Sequence, residues 1–142
     1  MFSEEKLFFS LHNIMKKMRS LFNKALLPFG ITHSEIRILM MVYESKDCRQ
    51  EDLISRLEVD RSNVGRSLKK LERMNYIGRE KDQSDARRYR IYITEKGKNI
   101  RDRLLKIRDN IRENVVKSAT IEEIEKLSKL LEKIDQNLSK DM

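Results

Sequence analysis

From residue 7 to residue 25 the apolar side chains recur in steps of four and three, at Leu7, Leu11, Ile14, Met18, Leu21 and Ala25. That spacing predicts an amphipathic helix from about Ser3 to Leu27 with a coiled-coil-like seam. Phe8, Met15, Phe22 and Leu26 widen the stripe beyond what one partner helix covers. Ser3 is suited to cap the helix, Glu4 and Glu5 sit where the helix dipole favours negative charge, and Pro28 with Gly30 ends it. A second helix opens at "THSE", where Thr32 and Glu35 have capping-box spacing. Its apolar face is Ile36, Leu39, Met40 and Tyr43, and "ESKD" closes it. A short third helix follows in "RQEDLISRL", with Leu53, Ile54 and Leu57 turned inward. After "EVD", with Asp60 placed to cap, a fourth helix runs to about Met74. Two helices joined by so short a turn form a helix-turn-helix.

The periodicity then changes. "YIGREK" (76–81) and "RYRIYI" (88–93) read as two short strands, joined by the polar stretch "DQSDARR". No Asn-Gly or Asp-Gly lies between them, which predicts a longer, mobile loop instead of a tight hairpin. Thr94 is placed to cap a fifth helix carrying Ile100, Leu104, Ile107, Ile111 and Val115 on one side. Thr120 and Glu123 form a further capping box for a sixth helix, whose seam steps through Ile124, Leu127, Leu131, Ile134 and Leu138. The long end helices present more apolar stripe than a compact monomer buries, so the chain is expected to pair with itself.

Composition agrees with a mainly helical chain: one proline and four glycines in 142 residues, and 38% charged residues. No run of about 18 apolar residues is present, so no membrane span is expected. The single cysteine excludes an internal disulfide framework and fits a reducing cytoplasm, the expected location. The net charge of +8 is unevenly distributed. Residues 60–90 hold ten Lys/Arg against five Asp/Glu, so this fifth of the chain carries most of the excess. Such clustering is the electrostatic footprint of a nucleic-acid contact, although basic helices also meet membranes and acidic proteins.

The fourth helix sharpens that reading. Val64, Leu68 and Leu71 share its core face. At about 100° per residue, Ser62, Arg66, Lys69 and Arg73 lie opposite, with Asn63 and Lys70 beside them. Hydrogen-bonding residues at the helix start and cations further along suit a recognition helix entering the major groove by its N-terminal end. There Arg66 matches guanine O6 and N7, and Asn63 matches adenine N6 and N7. Ser62 and Lys69 suit phosphates or less selective contacts, and Lys70 completes the candidate DNA-binding set of this helix. Gly65 costs the helix about 1 kcal/mol relative to alanine, which leaves either close approach of DNA or simple tolerance to account for it.

With these elements in order, the chain resembles the MarR family of winged-helix transcription regulators over essentially its whole length. The most specific match is "DARRYRIYITEKG" (85–97), which has the family's Asp-x-Arg and a strand closing in Ile-Thr-x-x-Gly. "VDRSNVGRSLKKLERMNYI" is similar to the family's recognition helix, and "LLPFGIT" to the junction of its first two helices. The resemblance implies a mainly α fold with a small β-wing, a winged helix-turn-helix flanked by long dimerisation helices. Residues 31–97 would read DNA, and 1–30 with 98–142 would form a helical dimerisation lobe. It also implies a homodimeric repressor on a pseudo-palindromic operator. Arg87 would reach the minor groove with Asp85 holding its guanidinium, and Arg88 and Arg90 would sit near phosphates. Gly65 and Arg49 depart from the family's usual small polar and capping residues.

Three further features stand beside this resemblance. Many family members bind small aromatic acids in a crevice between lobe and winged helix, to which His12, Met15, Met40 and Tyr43 are the candidates here. Cys48 reads first as a small buried hydrophobe and second as a thiol sensor beside Lys46 and Arg49. His12, His33 and Cys48 lack metal-ligand spacing, no cofactor motif is present, and no nucleophile–base pair or phosphate loop suggests an enzyme. The competing reading is a basic helical interaction module that binds RNA or an acidic protein partner.

Overall fold

The computed structural model describes residues 3–57, 61–85 and 87–141, which form six α-helices and a three-stranded sheet among them. Helix α1 (Ser3–Leu26) runs into a 3-10 turn at Leu27–Phe29, where Gly30 (φ 71°) donates its N–H to the Leu27 carbonyl at 3.0 Å. The left-handed φ at Gly30 is the reason for glycine there. Helix α2 (His33–Glu44) starts at once. The Thr32 N–H and hydroxyl both donate to the Glu35 carboxylate, at 3.3 and 2.6 Å, and the His33 N–H donates to Asn23 Oδ1 at 2.9 Å. These bonds join the end of α1 to the start of α2, and Phe22, Leu26 and Ile31 are buried at that joint. The Phe22 and His33 rings meet there at 4.7 Å.

Helix α2 is the centre of the fold. Ile36, Ile38, Leu39, Met40 and Val42 are all buried, which leaves it little solvent face. Strand β1 (Cys48–Arg49) leads into α3 (Gln50–Leu57), whose Leu53 is fully buried. Residues 58–60, including the Asp60 expected to cap the next helix, lie outside the described residues. Helix α4 (Arg61–Arg73) seats on α2 through Val64, Leu68 and Leu71. Burying three such side chains stabilises the seat by about 1.5–3 kcal/mol each, which outweighs the cost of Gly65.

The end of α4 is set by Asn75, at φ 64° the one positive-φ residue other than glycine among those described. Tyr76 N–H reaches back to the Leu71 carbonyl (3.0 Å) and Asn75 N–H to that of Glu72 (2.9 Å), the two bonds of a Schellman cap. Strands β2 (Ile77–Lys81) and β3 (Tyr89–Ile93) are antiparallel, and β3 lies between β2 and β1, pairing Ile91 with both Cys48 and Arg79. Tyr92 lies across Gly78, its cross-strand partner, where a Cβ would fall 2.1 Å from the ring. The described residues of the loop between the strands are joined by local hydrogen bonds. Asp82 N–H donates to the Arg88 carbonyl (2.9 Å), Arg88 N–H to that of Asp85 (3.0 Å), and Asp82 Oδ1 accepts from Ser84 N–H and Oγ.

Helix α5 (Glu95–Val116) begins under Thr94, whose hydroxyl accepts the Gly97 N–H (3.1 Å) and donates to the Asn75 carbonyl (2.6 Å). A Cβ on Gly97 would stand 2.3 Å from the Tyr76 carbonyl oxygen, so this turn of α5 fits against the α4–β2 connection only without a side chain. The Thr-x-x-Gly signature thus has a packing cause. Residues 1–108 form one compact unit, in which Ile100 and Leu104 are buried. Residues 109–142 form a second, with the end of α5 and α6 (Ile121–Asp141). Thr120 and Glu123 exchange both capping bonds at the start of α6, at 3.0 and 3.1 Å.

Two glycines separate packing from tolerance. Gly97→Ala should destabilise the fold by about 2–3 kcal/mol, as overpacking against backbone does. Gly65→Ala, with nothing within 4 Å of the added Cβ, should stabilise α4 by about 1 kcal/mol. Urea midpoints check both, and equal shifts of the same sign would contradict the packing account.

Candidate nucleic-acid interface

Opposite its buried row, α4 exposes Ser62, Asn63, Arg66, Lys69 and Arg73. Arg66 donates to Asn63 Oδ1, so the two residues expected to read separate bases are joined to each other. Lys70 is placed differently. Its ammonium lies 2.5 Å from Glu35 Oε1, and Glu35 is the one charged side chain among the described residues that is buried, 5% exposed. Burial alone would raise the Glu35 pKa, but the Lys70 and Thr32 hydrogen bonds and the Lys70 charge hold it below the usual carboxylate range. Lys70 therefore ties α4 to the start of α2.

A second tie fixes the wing, the β2–β3 hairpin and its loop. Half-buried Arg79 on β2 donates to both carboxylate oxygens of Glu72 on α4 (3.1 and 3.3 Å) and to Gln50 of α3 (3.5 Å). Its guanidinium also lies 5.3 Å over the Tyr89 ring on β3. At the other side of the wing, Arg49 pairs with Asp82 and Asp47, and Arg90 with Asp47 (3.3 Å) and Glu80 (3.6 Å). Asp85 acts on Arg87 through the backbone, accepting its N–H at 3.0 Å, while its side-chain ion pair is with Arg88 at 3.7 Å. The direct Asp85–guanidinium bond that the family resemblance implies for Arg87 is absent among the described contacts, and the exposed Arg87 guanidinium has no acidic partner among them.

Sequence reasoning missed Arg61, Arg79 and the pairing of Glu35 with Lys70. Arg61 opens α4 and forms a two-pronged pair with Glu51 of α3, at 2.5 and 3.1 Å. A cation directly after the expected cap is the signal that could have found it. Arg79 and the Lys70 contact of Glu35 carry no local signal, because those partners are placed by tertiary packing.

Residues 31–89 match the sequence profile of the MarR family. Over 128 residues the chain is 28% identical to the HTH-type transcriptional regulator YybA of Bacillus subtilis, covering 90% of this chain and 85% of that one. The fold superposes on a MarR transcriptional regulator from Methanosarcina mazei with a TM-score of 0.82 at 27% identity, covering 97% and 99% of the two chains. It superposes on the S. aureus MepR–DNA complex with a TM-score of 0.86 at 26% identity, covering 96% and 99%. These likenesses make the chain a winged-helix protein of the MarR type, with the family's profile matched over residues 31–89.

As a MarR-type winged helix, the chain is a transcriptional regulator and not an enzyme. Among the described residues no cluster of three or more His, Cys, Asp and Glu is placed to hold a metal, and no single helix is long and apolar enough to cross a membrane. Of the residues suggested for a ligand crevice, His12 and Met15 are exposed on α1 and Met40 is buried with Arg108 donating to its sulfur. Tyr43 donates its hydroxyl to the Gly97 carbonyl at 2.6 Å. No described hydrogen bond or ring contact links the first pair to the second. Cys48 is buried on β1, where burial, then the Asp52 and Asp47 carboxylates, push its thiol up to about 11. It stays protonated at neutral pH, which favours the structural role over the sensor.

The Glu35–Lys70 tie has a pH signature. Because the folded Glu35 pKa lies below the unfolded value of about 4.3, its stabilisation is complete above that pH and is lost as pH falls through the folded value. Glu35→Gln should therefore lower the urea midpoint clearly at pH 7 and progressively less below about pH 4. A gap that does not change with pH would show that the pair is not ionised.

Proposed function

We propose that the chain is a homodimeric repressor that binds a pseudo-palindromic operator. The observation that carries this is the placement of α4: a polar and cationic row faces solvent opposite a buried aliphatic row, and Arg79 holds the wing at its side. A helix presented in this way enters the major groove, and a hairpin fixed beside it reaches the neighbouring minor groove. MepR, whose structure was determined with DNA and which shares this fold over nearly the full chain, supports the transfer. Ser62, Asn63, Arg66 and Lys69 meet the major groove, and Arg87, Arg88 and Arg90 belong to the wing. Asp85 shapes the loop that presents them. Residues 31–97 act as the reader.

Residues 1–30 and 98–142 supply the dimer contacts. Leu7, Phe8, Phe9, Ile14 and Met15 are exposed on α1, and Ile121, Leu127, Leu130, Leu131 and Leu138 on α6. Apolar patches of this extent mark an interface, and a two-fold pair is the commonest way to cover them. Two α4 helices in such a pair read half-sites about 10 bp apart. A dimer lying across a promoter excludes polymerase by volume alone, so repression needs no further contact.

The assignments are tested by pairing two substitutions in one binding titration. Arg66→Ala should cost about 1–3 kcal/mol on a preferred site and little on random duplex, relaxing base choice at one position per half-site. Arg87→Ala should weaken binding most where the flank is A·T-rich, because a narrow minor groove concentrates negative potential. Equal losses on all sequences for both variants would reduce these residues to general phosphate contacts.

A further inference from the structure

Five arginines, Arg49, Arg61, Arg79, Arg87 and Arg88, line a groove of about 460 Å³ between the start of α3, the start of α4 and the wing. Four of them have a carboxylate partner: Arg49 has Asp47 and Asp82, Arg61 has Glu51, Arg79 has Glu72 and Arg88 has Asp85. Most of these acids have a second task. Glu72 anchors the wing through Arg79, Asp82 closes the loop through Ser84, and Asp85 turns the backbone at Arg87. Glu51 differs. Its described hydrogen bonds go to Arg61 alone, from Nη1 and Nη2, and both side chains are exposed, 51% and 68%.

The helices carry their own buried side chains apart from this pair, Leu53 on α3 and Val64 and Leu68 on α4. An exposed ion pair adds little to stability. What it does control is the charge offered at the first residue of α4, one position before Ser62, where a helix entering the major groove passes the phosphate backbone. A guanidinium fork holds carboxylate and phosphate by the same two-pronged geometry, so the two compete for Arg61. The groove also places Glu51 near Arg88, whose charge helps to keep its carboxylate ionised after the Arg61 hydrogen bond.

We propose that Glu51 is an affinity-setting latch: it holds Arg61 in the DNA-free protein and must release it to a backbone phosphate when duplex binds. This inference rests on the DNA-binding reading above and names a control built into that surface. Each duplex contact at Arg61 costs the breaking of the Glu51 pair and leaves a carboxylate facing phosphate. Binding is therefore weaker, and less steeply salt-dependent, than the arginine count of the groove would give.

The test uses a fluorescent duplex of arbitrary sequence, titrated with the full chain over a range of salt. The variants are Glu51→Gln, Arg61→Gln and the double substitution. Glu51→Gln should bind more tightly, by up to about tenfold near 0.1 M salt, with the slope of log affinity against log salt steeper by about one. In the Arg61→Gln background the same change should have little effect. Unchanged or weaker binding by Glu51→Gln, or an equal gain in both backgrounds, would overturn the latch and leave the DNA reader intact. A wild-type chain that binds no duplex at any salt would remove both.

Discussion

The guanidinium of Arg79 holds three elements in one arrangement. It takes both oxygens of Glu72 on α4, reaches Gln50 at the start of α3, and covers the Tyr89 ring on the wing's second strand. A helix and a hairpin read adjacent grooves only if their spacing is fixed before DNA arrives, since ordering them on binding would cost affinity. Charge-assisted bonds at a half-buried position give that spacing more reliably than apolar contact, which has no direction. The Schellman cap at Asn75, the Thr94 hydroxyl on its carbonyl and the close fit of Gly97 on Tyr76 then fix where the hairpin leaves the helix and where α5 begins.

A basic surface of this kind must also survive its own repulsion. The cations near the reader are largely matched by acids: Lys70 by Glu35, Arg61 by Glu51, Arg90 by Glu80 and Asp47. The depth of each pair decides its use. Glu35 is buried, so its pair with Lys70 is a permanent fastening between α4 and the start of α2, which is itself bound to α1 through Asn23. Glu51 is exposed, so its pair is open to exchange with phosphate. Arg87, with no acidic partner among the described residues, projects from a loop ordered by Asp82 and Asp85. The acids within "DQSDARR" thus shape the wing without neutralising its tip.

Much of this was legible in the sequence because it is local. The boxes at Thr32–Glu35 and Thr120–Glu123 and the Thr94 cap act over three residues, and the inward row of α4 follows from helical geometry alone. The split between Lys69 and Lys70 was not legible. Both lie on the polar side of the wheel, and only the packing of α2, 35 positions away, turns one of them into a fastening. Arg79 reads as an ordinary strand residue until Glu72, Gln50 and Tyr89 surround it. Cys48 shows the same limit, since its cationic neighbours in sequence are outweighed by burial and by Asp52 in space. Asn75 in the left-handed region stands where a glycine would have announced the end of the helix.

The most direct test is selection of bound fragments from sheared genomic DNA, at physiological salt and with excess nonspecific competitor. A pre-spaced helix and wing carried by a symmetric pair should recover a two-fold-related site with half-sites about one turn apart. Recovery of fragments with no shared sequence, from reduced and ligand-free protein, would contradict the sequence reader and leave a basic helical module that binds by charge.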